Sequence, residues 1–390
     1  MLAAPGDLDE NELSSALSRG WGIGVASMSY LAVGWGSHHW DVRDDAGGRW
    51  FVTVDELENK RVTDAESLAE GFARLLASLR SAVALRDAGL EFVLAPVPGD
   101  GAEPAVRFGG RFAVAVYPFV DGERSGWGEW TPARRAGALD MVAAVHTAPG
   151  WARRDALADD FGVPFRGQLE AACGGWVPAE SGPYTQPVAR LLREHAAPLR
   201  RWLDRYDGLV ALAGEQSGRD VLTHGEPHPG NIMRSGDGWL LIDWDTALVA
   251  PPERDLWGID PGDGSVFDGY AAATGVTPLP EIIELYRVRW DIADIAYDTA
   301  HFFRPHADGA NEVESWELLS SLVRQAGSSD GPDALTAESE YVGGPGLGSQ
   351  GVQCLGYAAF LIAEVRLEDR DEPVEFSHER VYAGRDPARG

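Results

Sequence analysis

The stretch from Val221 to Asp245 constrains this chain more than any other. Two short apolar runs, Val221-Leu222 and Leu240-Leu241-Ile242, pass directly into polar residues. The first runs into Thr223-His224-Gly225-Glu226, the second into Asp243-Trp244-Asp245. Apolar runs this short, ended this abruptly, read as buried strand ends that present side chains at a cleft. Pro227, Pro229 and Gly230 between them exclude a helix and hold a stiff loop. Asn231 follows Glu226 by five residues, and Asp243 follows Asn231 by twelve. A carboxylate, an amide and a second carboxylate in that order suit phosphoryl transfer. The first serves the acceptor hydroxyl, the other two magnesium.

Bulk properties narrow the partners. A net charge of −28 argues against nucleic-acid backbones and anionic membranes and favours a small cationic ligand. No run of 18 apolar residues exists, so no membrane span is expected. The acidic stretch from Met1 to Glu12 lacks the basic flank and apolar run of a signal peptide. Cys173 and Cys354 lie far apart and suggest reduced thiols, hence a cytoplasmic protein. Nothing in the sequence calls for an obligate protein partner. Lys60 is the only lysine in 390 residues.

The residues of the central stretch resemble the aminoglycoside phosphotransferase family, antibiotic kinases built on the protein-kinase scaffold. The family's loop is typically H-G-D-x-x-x-x-N, matched here by His224, Gly225 and Asn231, with Glu226 in place of the aspartate. Ile242-Asp243 matches its metal segment, and Pro252-Glu253-Arg254-Asp255-Leu256 its P-x-x-D-L segment. The resemblance covers roughly residues 20 to 325. It implies an α+β, protein-kinase-like two-lobed fold. A small sheet-rich nucleotide-binding lobe would span 20–120 and a mostly helical catalytic and acceptor-binding lobe 121–325. Residues 326–390, Gly/Ser/Asp/Pro-rich up to 351, read as a disordered or loosely packed tail holding one apolar segment, Val352–Val365.

Roles follow from the same resemblance. Glu226 would orient or deprotonate a hydroxyl, Asn231 and Asp243 would hold Mg2+ against ATP or GTP, and Asp245 would face the acceptor. Gly34 and Gly36, before Ser37, let backbone amides approach a phosphate without a Cβ in the way. That turn resembles the family's nucleotide-covering loop. Tyr117 and Phe119 resemble its hinge, where backbone groups could pair with a nucleobase edge. The acceptor implied is a small cationic compound, an aminoglycoside-like or peptide antibiotic. A housekeeping kinase for choline, a sugar or an amino alcohol, and a nucleotide-binding pseudokinase scaffold, are compatible with the same residues.

Other segments carry more specific expectations. Thr53 stands on the strand where kinases carry their phosphate-binding lysine. Lys60 follows that strand closely and has the reach to replace it; Arg61 competes, and both also suit a surface role offsetting Glu56 and Glu58. Thr63 to Glu66 reads as a capping box, leaving Glu70 to face the cleft. Phe92-Val93-Leu94 reads as a strand, His146 as a core histidine, and 149–183 as a surface excursion. Gln186 to Arg205 reads as one helix bent at Pro198. Along the helix from Pro280 to Phe303, Glu284, Asp291, Asp294 and Asp298 share one arc. By resemblance this helix lines the acceptor pocket. Asp291 and Asp294 are assigned there, and Asp298 to a solvated face.

Overall fold

Period-two patterning builds the first half of the molecule. The computed structural model describes residues 1, 3–34, 36–123, 129–179, 181–216, 218–236 and 238–327. The expected linker beyond 327 and the apolar segment Val352–Val365 lie outside the described residues. Helix α1 (Glu10–Trp21) precedes β1 (Val25–Leu31), β2 (Ser37–Asp44) and β3 (Arg49–Glu56). A 3-10 turn over Leu57–Lys60 leads to α2 (Leu68–Asp87), then β4 (Ala105–Phe108) and β5 (Phe112–Pro118). The strands form one antiparallel sheet of order β1-β2-β3-β5-β4.

Because successive strand residues point to opposite faces, β3 serves two purposes. Val52 and Val54 join Trp40, Val114 and Val116 in a core closed by Leu13, Ala16 and Leu17 of α1. Full burial of a side chain such as Leu13 or Val54 stabilises by about 1.5–3 kcal/mol, so this face is anchored. The other face carries Phe51, Thr53 and Asp55, with Thr53 opposite His39 and Asp55 opposite Ser37. That face is left for the cleft.

The second half is helical around two small two-stranded sheets. It runs α3 (Pro132–His146), α4 (Arg166–Cys173), α5 (Thr185–Glu194) and α6 (Ala196–Gly214) into β6 (Val221–Thr223). Then come β7 (Ile232–Ser235), β8 (Gly238–Leu241), β9 (Leu248–Ala250) and α7 (Glu253–Leu256). Helices α8 (Ser265–Thr274), α9 (Pro280–Phe302) and α10 (Ala310–Gly327) complete it. Strand β6 pairs with β9 and β7 with β8. The Leu94 amide donates to Leu241 O (3.1 Å) and the Leu241 amide to Phe92 O (2.8 Å). The expected strand at 92–94 is thus a single bridge, and it ties the connecting segment to the end of β8.

Three local expectations are corrected. The helix expected over Gln186 to Arg205 is two helices, broken at His195, whose Nδ1 lies 3.0 Å from Leu191 O. Pro198 bends nothing, because it falls in the first turn of α6, where its missing N–H is not needed. Within 149–183, Leu169, Ala172 and Cys173 of α4 are buried in the helical core, although Trp151 and Trp176 remain exposed.

The third concerns α2. Its N-cap is Ser67, whose hydroxyl accepts from the Glu70 amide while the Glu70 carboxylate accepts from the Ser67 amide. Glu70 is exposed at this cap and does not face the cleft. Glu66 instead accepts from the Val62 amide (2.6 Å) and pairs with Arg74. Ser67→Ala should therefore cost about 1 kcal/mol in urea denaturation. Glu70→Ala should lower the melting temperature and leave nucleotide affinity unchanged; weaker nucleotide binding would return Glu70 to the cleft.

Candidate active site

The loop after β6 is shaped by a buried carboxylate on α7. Asp255 accepts from the amides of His224 (Oδ2, 2.8 Å) and Gly225 (Oδ1, 2.5 Å) and from His146 Nε2 (3.0 Å). His146 in turn accepts at Nδ1 from the Tyr270 hydroxyl, 2.9 Å away, so it is a satisfied core histidine as expected. Burial pushes the Asp255 carboxyl up, but His146 and the nearby Arg254 outweigh it and leave it below the usual range. Gly225 has φ +102°, and a Cβ there would sit 2.5 Å from the Arg254 guanidinium. No side chain fits, which accounts for glycine between His224 and Glu226.

His224 joins the two strand ends. Its Nε2 donates to Ile242 O (2.9 Å) and its Nδ1 accepts from the Glu226 amide (3.1 Å), which defines the neutral tautomer. Burial lowers its pKa, in keeping with that form. Asn231 closes the loop: its Nδ2 donates to Glu226 O (3.0 Å), and its carbonyl accepts from the Ile242 amide (3.0 Å). The remaining Asn231 Oδ1 is buried without a hydrogen-bond partner. Asp243 adopts φ +68°, a left-handed conformation that ends the strand and is costly for a residue other than glycine.

The orphaned Asn231 amide oxygen and the Asp243 carboxylate, on segments joined by the Ile242 amide, are donors of the kind a hard divalent cation takes. Among the described residues, no three His, Cys, Asp or Glu side chains gather to hold a metal by themselves. Two protein oxygens would leave the other positions to phosphates and water, which is usual for magnesium.

Lys60 reaches the cleft from the 3-10 turn after β3. Its Nζ lies 2.6 Å from Asp245 Oδ2 and 2.9 Å from Asp55 Oδ1, with the side chain 10% exposed. Burial alone would lower the lysine pKa; the two carboxylates reverse this and hold it well above its ordinary value. The Glu226 carboxyl is also pushed up, to about 8, by burial and by Asp245, against Arg254 and Lys60.

These groups border two cavities. The smaller, about 80 Å³, is lined by Gly34, Ser37, Thr53, Asp55, Tyr117, Asp243 and Asp245. The larger, about 350 Å³, is lined by Gly36, Lys60, Glu226 and Asp245 on one side and by α9 on the other. Asp294 and Asp298 lie on that α9 wall, with Trp290 and Tyr297, and the Trp257 ring lies tilted against Trp290 with centroids 5.3 Å apart. Arginines on the walls are occupied: Arg74 pairs with Glu66 and Arg289 with Asp159 (2.6 Å). Asp298 is 3% exposed, and its Oδ2 has no hydrogen-bond partner.

Most expected site residues therefore meet at these cavities, and three do not; Asn231 is fully buried and lines neither. Phe119 borders neither: its amide donates to Arg49 O (3.1 Å), and the Arg49 guanidinium covers its ring at 3.5 Å. Asp291 is half-buried outside the lining, its carboxyl pushed up to about 7 by burial. Asp298, expected on a solvated face, is buried at the larger cavity instead. Asp55 was not singled out from the sequence, although the period of β3 places it on the face of Thr53. Ser37 uses its hydroxyl on Asp55, at 2.5 Å.

A five-stranded sheet over a helical half, with this cleft between, defines a two-lobed, kinase-like phosphotransferase. Residues 27–286 match the model of the phosphotransferase enzyme family that includes the aminoglycoside phosphotransferases, and the chain belongs to that family. Protein StrN of Streptomyces griseus is 31% identical over 248 residues, spanning 61% of this chain and 74% of that protein. Among solved structures, spectinomycin phosphotransferase APH(9)-Ia, in complex with ADP and spectinomycin, superposes with a TM-score of 0.59. It is 16% identical and covers 82% of this chain and 98% of its own. Amicoumacin kinase, in complex with AMP-PNP, Ca2+ and amicoumacin, gives 0.50 at 15% identity over 82% and 93%. No described helix is long and apolar enough to cross a membrane.

Asp298 allows a pH test of the larger cavity. Desolvation holds its carboxyl well above the ordinary value. A raised folded pKa means its stability contribution is full below the unfolded value, about 3.9, and is lost as pH rises through the folded one. Asp298→Asn should therefore melt higher than the parent at pH 8, with the gap shrinking toward pH 4. A pH-independent gap would mean that Asp298 is not the buried titrating group.

Proposed function

We infer that this enzyme transfers the γ-phosphoryl group of ATP or GTP to a hydroxyl of a small cationic compound. Resistance to, or processing of, an aminoglycoside-like antibiotic is the role this reading favours. The observation that carries it is that Asp245 borders both cavities, so a phosphate held in the smaller would meet an acceptor lying in the larger. Glu226 faces the acceptor side. Its raised pKa makes it a stronger base than an ordinary carboxylate once ionised, suited to taking the hydroxyl proton as the oxygen bonds to phosphorus. The bond from phosphorus to the bridging oxygen breaks, and the nucleoside diphosphate leaves.

Asn231 and Asp243 are the residues that would hold magnesium, which when bound supplies neutralisation of phosphate charge. Lys60 is the cation offered to the phosphates in place of the lysine absent at Thr53. On the acceptor side, Asp294 and Asp298, whose Oδ2 is unpartnered, lie amid Trp257, Trp290 and Tyr297 and suit an ammonium group on a compact ring. The absent strand lysine favours one second reading, a nucleotide-binding scaffold without turnover. It predicts magnesium-dependent nucleotide binding and no product.

Incubation with ATP or GTP and a panel of cationic antibiotics and amino alcohols, followed by mass spectrometry for an added phosphate, separates these readings. On the acceptor so found, Glu226→Gln should lower kcat by roughly 10²- to 10⁴-fold. Wild-type turnover by Glu226→Gln would remove Glu226 as the base. Asp294→Asn should raise the acceptor KM with nucleotide affinity unchanged, and Asp291→Asn should have the smaller effect of the two. Equal KM values for both variants and the parent would sink the acidic-wall assignment.

A further inference from the structure

In kinase-type folds the phosphate-binding lysine sits on β3 and is held by a glutamate on the helix that follows. Neither half of that pair exists here in its usual place. Thr53 occupies the strand position, its hydroxyl 3.3 Å from His39 Nδ1. Helix α2 lines the two cavities with Arg74, Leu75, Ser78 and Leu79, none of them a carboxylate. Its acids are occupied elsewhere: Glu70 caps the helix, and Glu66, just ahead of it, binds the Val62 amide and Arg74. What α2 contributes is Gly71. A Cβ there would lie 3.3 Å from the Lys60 backbone, so glycine lets the 3-10 turn seat against the helix.

The two carboxylates on Lys60 differ in what else holds them. Asp245 lies two residues beyond Asp243 and borders both cavities, so it faces phosphate and acceptor alike. Asp55 borders only the smaller cavity, is 3% exposed, and accepts the Ser37 hydroxyl opposite it across β2 and β3. One end of the clamp is fixed to the sheet and the other is open to substrate.

We propose that Asp55 is the positioning residue for Lys60. Lys60 lines the larger cavity, and Asp55, on the smaller one and fixed by Ser37, keeps its ammonium drawn toward the phosphates when Asp245 turns to substrate. The carboxylate a kinase fold carries on its helix has moved onto β3 itself, and the lysine has moved off it. This rests on Lys60 being the cation that meets the phosphates.

The test is a double-mutant cycle read as the Kd of ATP and of GTP in magnesium, by calorimetry, without acceptor. Lys60→Met should weaken whichever nucleotide the parent binds. Asp55→Asn should weaken it about five- to fiftyfold in the parent background. In the Lys60→Met background the same change should tighten binding, because it removes an unpaired carboxylate facing the phosphates. A mere strut between β2 and β3 would weaken binding in both backgrounds, and that result overturns the proposal. Should Lys60→Met bind as the parent does, the reading of Lys60 itself fails, and the proposal with it. A weakened Lys60→Met beside an unaffected Asp55→Asn defeats the proposal alone. Ser37→Ala leaves every charge in place and covers the case in which Asp55→Asn does not fold. It should weaken binding less than Asp55→Asn and have no effect when Lys60 is already Met; equal effects in both backgrounds again overturn the proposal.

Discussion

The cleft depends on one buried carboxylate. Asp255 takes two consecutive amides of the loop after β6, and that contact orients the peptide from which Glu226 projects. A buried charge is costly unless its lone pairs are filled, and breaking such an arrangement from one side typically costs about 3–5 kcal/mol. Here two amides and His146 fill them. His224 then extends the order outward, because its two ring nitrogens join the Glu226 amide to the Ile242 carbonyl. The peptides that carry Glu226 and Asp243 are thus held together by the His224 ring and the Asp255 carboxylate.

The wall of the larger cavity shows the opposite arrangement. Asp298 is buried with one oxygen unpartnered, and among the described residues no cation relieves its desolvation. A residue that weakens the fold while bordering a cavity is better understood through what enters the cavity. The Lys60 cluster is intermediate: it is paired, but two carboxylates share one ammonium, so one carboxylate is in excess.

The parts legible in the sequence were those fixed by local spacing. The order Glu226, Asn231, Asp243 was readable because a proline-rich loop between two short strands leaves little freedom. Sheet strands and α3 followed from period and from the Thr131-Pro132 cap. Elsewhere local signals were degenerate. Thr63 to Glu66 and Ser67 to Glu70 are both plausible capping boxes, four residues apart, and only packing selects the second. Helical period placed four acids on one arc but could not say which part of it faces solvent; Glu284 pairs with Arg205, whereas Asp298 is buried. Phe119 looked like a hinge residue, yet sheet pairing with Arg49 engages its amide. Lys60 stood out by its rarity, while Asp55 did not, because an aspartate closing a strand carries no local mark of a partner five residues on.

The clamp on Lys60 also bears on the chain's reactivity. An amine attacks electrophiles only when unprotonated, and this ε-amine is held charged between two carboxylates. Since no other lysine exists anywhere in the 390 residues, the protein presents acylating and aldehyde-type reagents with a single lysine target, kept unreactive by its neighbours. Only an event that draws both Asp55 and Asp245 away would register as the appearance of a nucleophile at one known position.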